Sequence, residues 1–212
     1  MWFFVGCPWN EKSCSEAAFG GHLNVLRWLR MNGCPWDRKT IFYAVRGGHL
    51  NVLKWAYANS CPFTSIKYQN IAAVHGRLDV LKWYSESVDL TSRTMEIAAE
   101  AGHRHIVEWM NKRGYDINFD IIHIAAKKGH MELLKWAYAQ GYALSNTTCN
   151  VAAANGHLDV LHWLLKKKCP YDYKQLYKDA AYDLKNRQHI KCWLASTIFT
   201  YEQNISIMTT QF

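Results

Sequence analysis

Apolar and polar residues along this chain fall into short stretches of helical spacing, and the stretches repeat. The segments GHLNVLRW (21–28), GHLNVLKW (48–55), GRLDVLKW (76–83), GHRHIVEW (102–109), GHMELLKW (129–136) and GHLDVLHW (156–163) are six copies of one pattern. Their tryptophans, Trp28, Trp55, Trp83, Trp109, Trp136 and Trp163, are separated by 27, 28, 26, 27 and 27 residues, and a looser seventh copy ends at Trp193. A second column, Cys7, Cys34, Cys61, Val88, Tyr115, Tyr142 and Cys169, keeps a spacing of 27 without slippage. Three residues after each of these stands Asn10, Asp37, Thr64, Thr91, Asn118, Ser145 or Asp172. All are preferred N-caps, whose side chains accept a hydrogen bond from the unpaired first-turn amides, so each predicts the start of a helix.

The capped helix, helix A, runs for about ten residues to a pair of small side chains: Ala17-Ala18, Ala44-Val45, Ala72-Ala73, Ala98-Ala99, Ala125-Ala126, Ala152-Ala153 and Ala180-Ala181. Small residues let neighbouring helices approach closely. Gly21, Gly48, Gly76, Gly102, Gly129 and Gly156 follow, where a left-handed residue can end the helix. Helix B then carries apolar residues such as Leu23, Leu26 and Leu29, and ends near Gly33, Gly114 or Gly141, or at Ser60, Ser87 or Lys168 in equivalent places. A helix pair this short cannot bury its apolar face alone, so the copies must stack and share one core.

These elements give an all-α chain. Residues 6–196 are read as seven repeats forming one solenoid domain, 1–5 as the remnant of a preceding helix B, and 197–212 as a cap or tail. For the apolar start, Trp2, Phe3 and Phe4, three readings stay open: an improvised cap, a surface for self-association of an otherwise monomeric chain, or a remnant of a longer protein. The 212 residues are half hydrophobic and one fifth charged, the profile of a folded chain. No apolar run approaches the roughly 20 residues that a membrane span needs. Nor does the N-terminus read as a secretion signal. The odd number of cysteines, seven, fits a reducing cytoplasm, with the nucleus as a further possibility.

The cysteine and histidine columns invite metal or disulfide chemistry, but equivalent places in stacked units lie roughly 10 Å apart. That exceeds both the disulfide limit and the reach of a shared zinc ion, which predicts buried cysteines, turn-bracing histidines and no metal or cofactor. Each tryptophan recurs inside the helix-B pattern and is read as core, with a loss of about 3–5 kcal/mol expected for Trp83→Ala. Trp9, Trp36, Phe63 and Tyr171, beside the caps, are read as covers for helix ends. Arg27, Lys54, Lys82, Lys135 and Lys191 form an exposed basic column, broken by Glu108 and His162, in which acidic neighbours, such as Glu132 before Lys135, make i,i+3 pairs. The net charge of +8, with Lys127-Lys128, Lys166-Lys167-Lys168 and the stretch from Lys185 to Lys191, admits an acidic partner in the C-terminal half. Nucleic acid is the rival reading, but no recognised reading motif accompanies the charge. There is no phosphate loop, nucleophile elbow or paired-carboxylate motif, so nothing points to an enzyme or a small-molecule substrate.

The string Ala-Ala-x-x-Gly-His-Leu-x-Val-Leu-Lys, followed by a turn such as Gly33-Cys34-Pro35-Trp36-Asp37, resembles the ankyrin repeat from about Gly6 to about Ala195. Two departures accompany it. The family's Thr-Pro-Leu-His start of helix A is eroded to Lys39-Thr40-Ile41-Phe42 or Asp120-Ile121-Ile122-His123. The period is also shorter than the family's, by a segment corresponding to its projecting β-hairpin. In this the chain is similar to the short repeats numerous in giant DNA viruses of protists and in some oomycetes and algae. The resemblance implies a helix-turn-helix solenoid, with short turns in place of hairpins, that serves as a protein–protein interaction scaffold, acting on host proteins if viral. A degenerate remnant without selected function is the other alternative. It also implies that residues between the alanine pair and the glycine open onto a concave binding face. That assigns Arg46, His75, Glu100, Lys127, Lys128 and Asn155 to a protein-binding surface, with Arg38, Phe119 and Tyr173, just after the caps, as its extension.

Overall fold

The computed structural model describes residues 9–63, 65–172 and 175–176, with only the backbone for 65–67. Trp2 to Phe4, the caps at Thr64 and the residues from 177 onward, including Trp193 and the C-terminal tail, lie outside the described residues, as does Tyr173. Among the described residues there are twelve α-helices and no strand. The chain divides into two compact units, Met1–Asn118 and Phe119–Phe212. The first holds α1 (Glu11–Phe19), α2 (Leu23–Met31), α3 (Arg38–Gly47), α4 (Leu50–Ala58), α5 (Ser65–Val74), α6 (Leu78–Tyr84), α7 (Ser92–Glu100) and α8 (Arg104–Lys112). The second holds α9 (Ile121–Lys128), α10 (Met131–Ala139), α11 (Asn146–Ala154) and α12 (Leu158–Lys166).

Odd-numbered helices are the A helices and even-numbered ones the B helices. Each A helix packs on its own B helix, and within the first unit α1 lies against α3, α3 against α5 and α5 against α7. In the second unit α9 lies against α11. The small pairs make this possible: Ala17-Ala18, Ala44-Val45, Ala72-Ala73, Ala98-Ala99, Ala125-Ala126 and Ala152-Ala153 are all buried. The short connections replace any projecting hairpin, as the sequence predicts.

Most caps form as the sequence reading requires. Asn10 accepts from the Lys12 amide at 3.0 Å, Asp37 from Lys39 at 2.9 Å and Thr91 from Thr94 at 3.3 Å. Asn118 is a correction. The helix begins two residues later, where Asp120 accepts from the His123 amide at 2.9 Å. Both residues are competent caps, and the Asp120 carboxylate is the one that reaches a free amide. Phe119 consequently lies in the bend before α9 instead of in its first turn.

A second correction concerns the tryptophans. Of the six helix-B tryptophans from Trp28 to Trp163, only Trp136, at 7% exposure, is buried; Trp28 is 48% exposed, and Trp55, Trp83, Trp109 and Trp163 are half-buried. The core of the B helices from α4 to α12 is instead a triplet four, five and eight residues after the glycine, for example Val52-Leu53-Ala56, Val80-Leu81-Tyr84 and Val160-Leu161-Leu164, whereas α2 buries Leu26 and Leu29 and exposes Val25. At about 100° per residue the tryptophan sits roughly 100° from the centre of that stripe, at its edge. Its period matches the core because both belong to one repeat. There it meets the aromatic beside a cap: Trp9 with Trp28 at 5.4 Å between ring centroids, and Trp36 with Trp55 at 5.6 Å.

Candidate functional site

The turn between the two helices of a repeat is where the stack is fastened. His49 Nε2 donates to the carbonyl of Phe19 at 2.9 Å, His103 to that of Val74 at 2.9 Å, and His157 to that of Lys127 at 3.0 Å. In the copy that reads Gly-Arg, Arg77 Nε takes over and donates to the Arg46 carbonyl at 3.0 Å. Each bond runs from one repeat to the end of helix A in the repeat before it, so the histidine column braces turns. The glycine opposite is required twice over. Gly21 has φ +74, and a Cβ there would lie 2.5 Å from the His49 ring.

These bonds hold the backbone at the positions that vary between copies and leave their side chains outward. Phe19, Arg46, Val74, Glu100 and Lys127 are exposed, and Ala154 is half-buried. In the first unit Arg46 stacks over the Phe19 ring at 5.6 Å, and Phe19 meets Tyr43 edge-on at 5.7 Å. His75 lies beside this group. Burial, with Arg46, Arg77 and His103 around it, holds its imidazole below the ordinary range for a histidine. His105 Nε2 donates to the Gly76 carbonyl at 3.2 Å, with its ring 5.7 Å from that of His103. Glu100 ends α7 and lies 3.8 Å from Arg93, which is paired more closely with Glu96 at 2.8 Å. In the second unit Lys127 and Lys128 are exposed in the last turn of α9. Asn155 caps α11 by donating to the Val151 carbonyl at 2.8 Å, which commits part of its amide.

Two extension residues stand apart from this group. Arg38 opens α3 and is exposed, but it lies about 12 Å along the helix axis from Arg46 at a rise of about 1.5 Å per residue. Phe119 is half-buried in the bend before α9.

Sequence reasoning missed a cleft of about 440 Å³ lined by Arg27, Arg30, Met31, Trp36, Trp55 and Asn59. Arg30 stacks over Trp36 at 4.3 Å and donates to the Cys34 carbonyl, and Arg27 lies 5.9 Å from the Trp55 centroid. The assignment of tryptophan to the core hid it; the pairing of a cap-side aromatic with the helix-B tryptophan was the available signal. No group of three or more metal-ligating side chains occurs among the described residues. Also among them, no helix is long and apolar enough to cross a membrane.

Residues 95–175 match the family model described as ankyrin repeats in three copies. Among solved structures the human ASB11 ankyrin repeat domain is similar, with a TM-score of 0.59 and 18% identity, covering 84% of this chain and 95% of that one. No curated protein matches the sequence. The fold is therefore that of ankyrin repeat domains.

Proposed function

We propose that this chain is a protein-binding scaffold, that one solenoid spans residues 6–196, and that its partner contacts the side chains displayed at the ends of the A helices. One observation carries the reading. Positions common to the copies are spent on packing and on the histidine bonds, whereas Phe19, Arg46, Val74, Glu100 and Lys127 differ and face outward. A surface whose backbone is fixed and whose side chains vary can be matched to one partner without disturbing the stack. We place Arg46, His75, Glu100, Lys127, Lys128 and Asn155 in the contact, with Arg38, Phe119 and Tyr173 at its margin.

The 27-residue period supports grouping the chain with the short-repeat form of giant DNA viruses, in which the partner would be a host protein met in the cytoplasm. The chain would act as an adaptor, with no reaction of its own. Affinity capture followed by mass spectrometry tests this. Proteins retained by the wild type should be lost from a variant carrying Lys127→Glu and Lys128→Glu and from one carrying Arg46→Glu, each with an unchanged melting temperature. An identical captured set from all three would overturn the assignment of the face. The basic C-terminal half supports one rival, a purely electrostatic nucleic-acid binder. Duplex binding at low salt that vanishes steeply as salt rises would be its signature.

A further inference from the structure

Cys14 and Cys34 are 20 residues apart in sequence, yet their sulfurs lie 3.4 Å apart inside the first repeat. Cys14 is the fourth residue of α1, and Cys34 stands in the turn after α2. The Cys14 thiol donates to Cys34 Sγ, and Cys34 donates in turn to the carbonyl of the cap residue Asn10 at 3.3 Å. The same arrangement recurs far along the chain. Cys149 and Cys169 lie 135 residues beyond the first pair, five 27-residue periods. The Cys149 and Cys169 thiols act on one another, Cys149 being pushed up and Cys169 down, and Cys169 donates to the carbonyl of the cap residue Ser145 at 3.3 Å. All four are buried and in the thiol form.

The second repeat supplies a built-in comparison. Cys61 occupies the place of Cys34 and makes the same bond, to the Asp37 carbonyl at 3.4 Å, but the place of Cys14 is taken by Ile41. A turn cysteine alone therefore serves the cap. The helix cysteine adds nothing to that bond, and in both repeats that have one it is set against the turn sulfur.

We propose that Cys14–Cys34 and Cys149–Cys169 are two dithiol modification sites, each converted to a disulfide within its own repeat by exchange with a low-molecular-weight disulfide. The Cys14 and Cys34 sulfurs are close enough that rotation of the side chains and a small shift of the turn bring them to the bonding distance of about 2.05 Å. In the second pair the neighbouring Cys149 thiol lowers the Cys169 thiol. Burial, together with the bond to Cys34, pushes Cys14 up to about 12. The turn cysteine, flanked by exposed residues, is the first nucleophile. Its thiolate attacks one sulfur of the small disulfide, and the other leaves as a thiolate that takes up a proton. The helix cysteine then gives up its proton and attacks the turn sulfur, expelling the second small thiol. Two protein thiols become one disulfide and one small disulfide becomes two small thiols, with no net change in protons or electrons. Access is through the turns, where exposed Gly33 and Pro35 flank Cys34 and exposed Lys168 and Pro170 flank Cys169. Local opening there uncovers the sulfurs without unfolding the stack.

The test incubates the full-length native chain with excess oxidised glutathione to equilibrium, blocks remaining thiols in denaturant, and maps unreduced peptides by mass spectrometry. Four of the seven cysteines should be found cross-linked, as Cys14–Cys34 and Cys149–Cys169, with Cys61 blocked or carrying glutathione. Ile41→Cys should create a third linked pair, with Cys61. Cys14→Ser should leave Cys34 as a glutathione adduct, a check that does not depend on the Ile41→Cys chain folding. Cys14 and Cys34 both remaining free, or Cys61 entering cross-links in the wild type as readily as the two pairs, would overturn the proposal.

Discussion

Ser60 and Lys168 stand where other copies place glycine, with φ of 61° and 57°. A side chain there crowds the backbone and costs of order 1–2 kcal/mol, whereas Gly33, Gly114 and Gly141 adopt the same region freely. Ser60 is exposed and closes α4, so Ser60→Gly should raise the melting temperature, by an amount corresponding to about 1 kcal/mol. A thermal melt that falls would mean that the serine side chain makes a contact worth more than the strain. His75 sets a pH dependence. Its folded form binds a proton less readily than the ordinary histidine value of 6.5, because of burial and then of Arg46, Arg77 and His103. As pH falls through that value the unfolded chain takes up the proton first, so the stability this group confers is complete above 6.5 and declines below it. Melts between about pH 5 and pH 8 should show a smaller decline in His75→Asn than in the wild type.

Between helices, the unit of cohesion is a histidine laid over the glycine of the preceding repeat. His49→Ala removes the bond to the Phe19 carbonyl and should cost about 1 kcal/mol. Gly21→Ala should cost more, since it combines left-handed strain with a clash against the His49 ring. In the double variant the clash disappears and the strain remains, so the combined loss should be less than the sum of the two. Additive losses in denaturant unfolding would show that the ring moves aside freely. The B helices make a separate prediction. Leu81 is fully buried and Trp83 only half, so Leu81→Ala should cost about 2–5 kcal/mol and Trp83→Ala less, the reverse of the order that side-chain size alone suggests. Helix positions, most caps and the closing glycines were legible in the sequence because local chemistry dictates them. The burial of the tryptophans was not, since a shared period says that a position belongs to the repeat without saying which side it faces. The contact of Cys14 with Cys34 was hidden for a related reason: the sequence compares like places in different copies, and this contact joins unlike places in one.

At the scale of the molecule, the fold of ankyrin repeat domains and the histidine-braced turns follow from one short motif, whereas the residues that motif leaves free differ from copy to copy. Arg46, Glu100 and Lys127 could be located at the ends of their helices from sequence alone. Their neighbours could not: Arg46 over Phe19 and Arg93 beside Glu100 depend on how side chains meet in space. The joint between repeats has a consequence for how such a chain can change. Four joints within the two units share one design, a groove made by the glycine with its carbonyl on one side and a tongue, the histidine or arginine, on the other: Gly21 with His49, Gly48 with Arg77, Gly76 with His103 and Gly129 with His157. Tongue and groove are alike at these joints, so a copy can be spliced in or out in whole 27-residue steps with such a seam still closing. The length of the array, and with it the number of displayed side chains, is free to drift while the joinery stays constant.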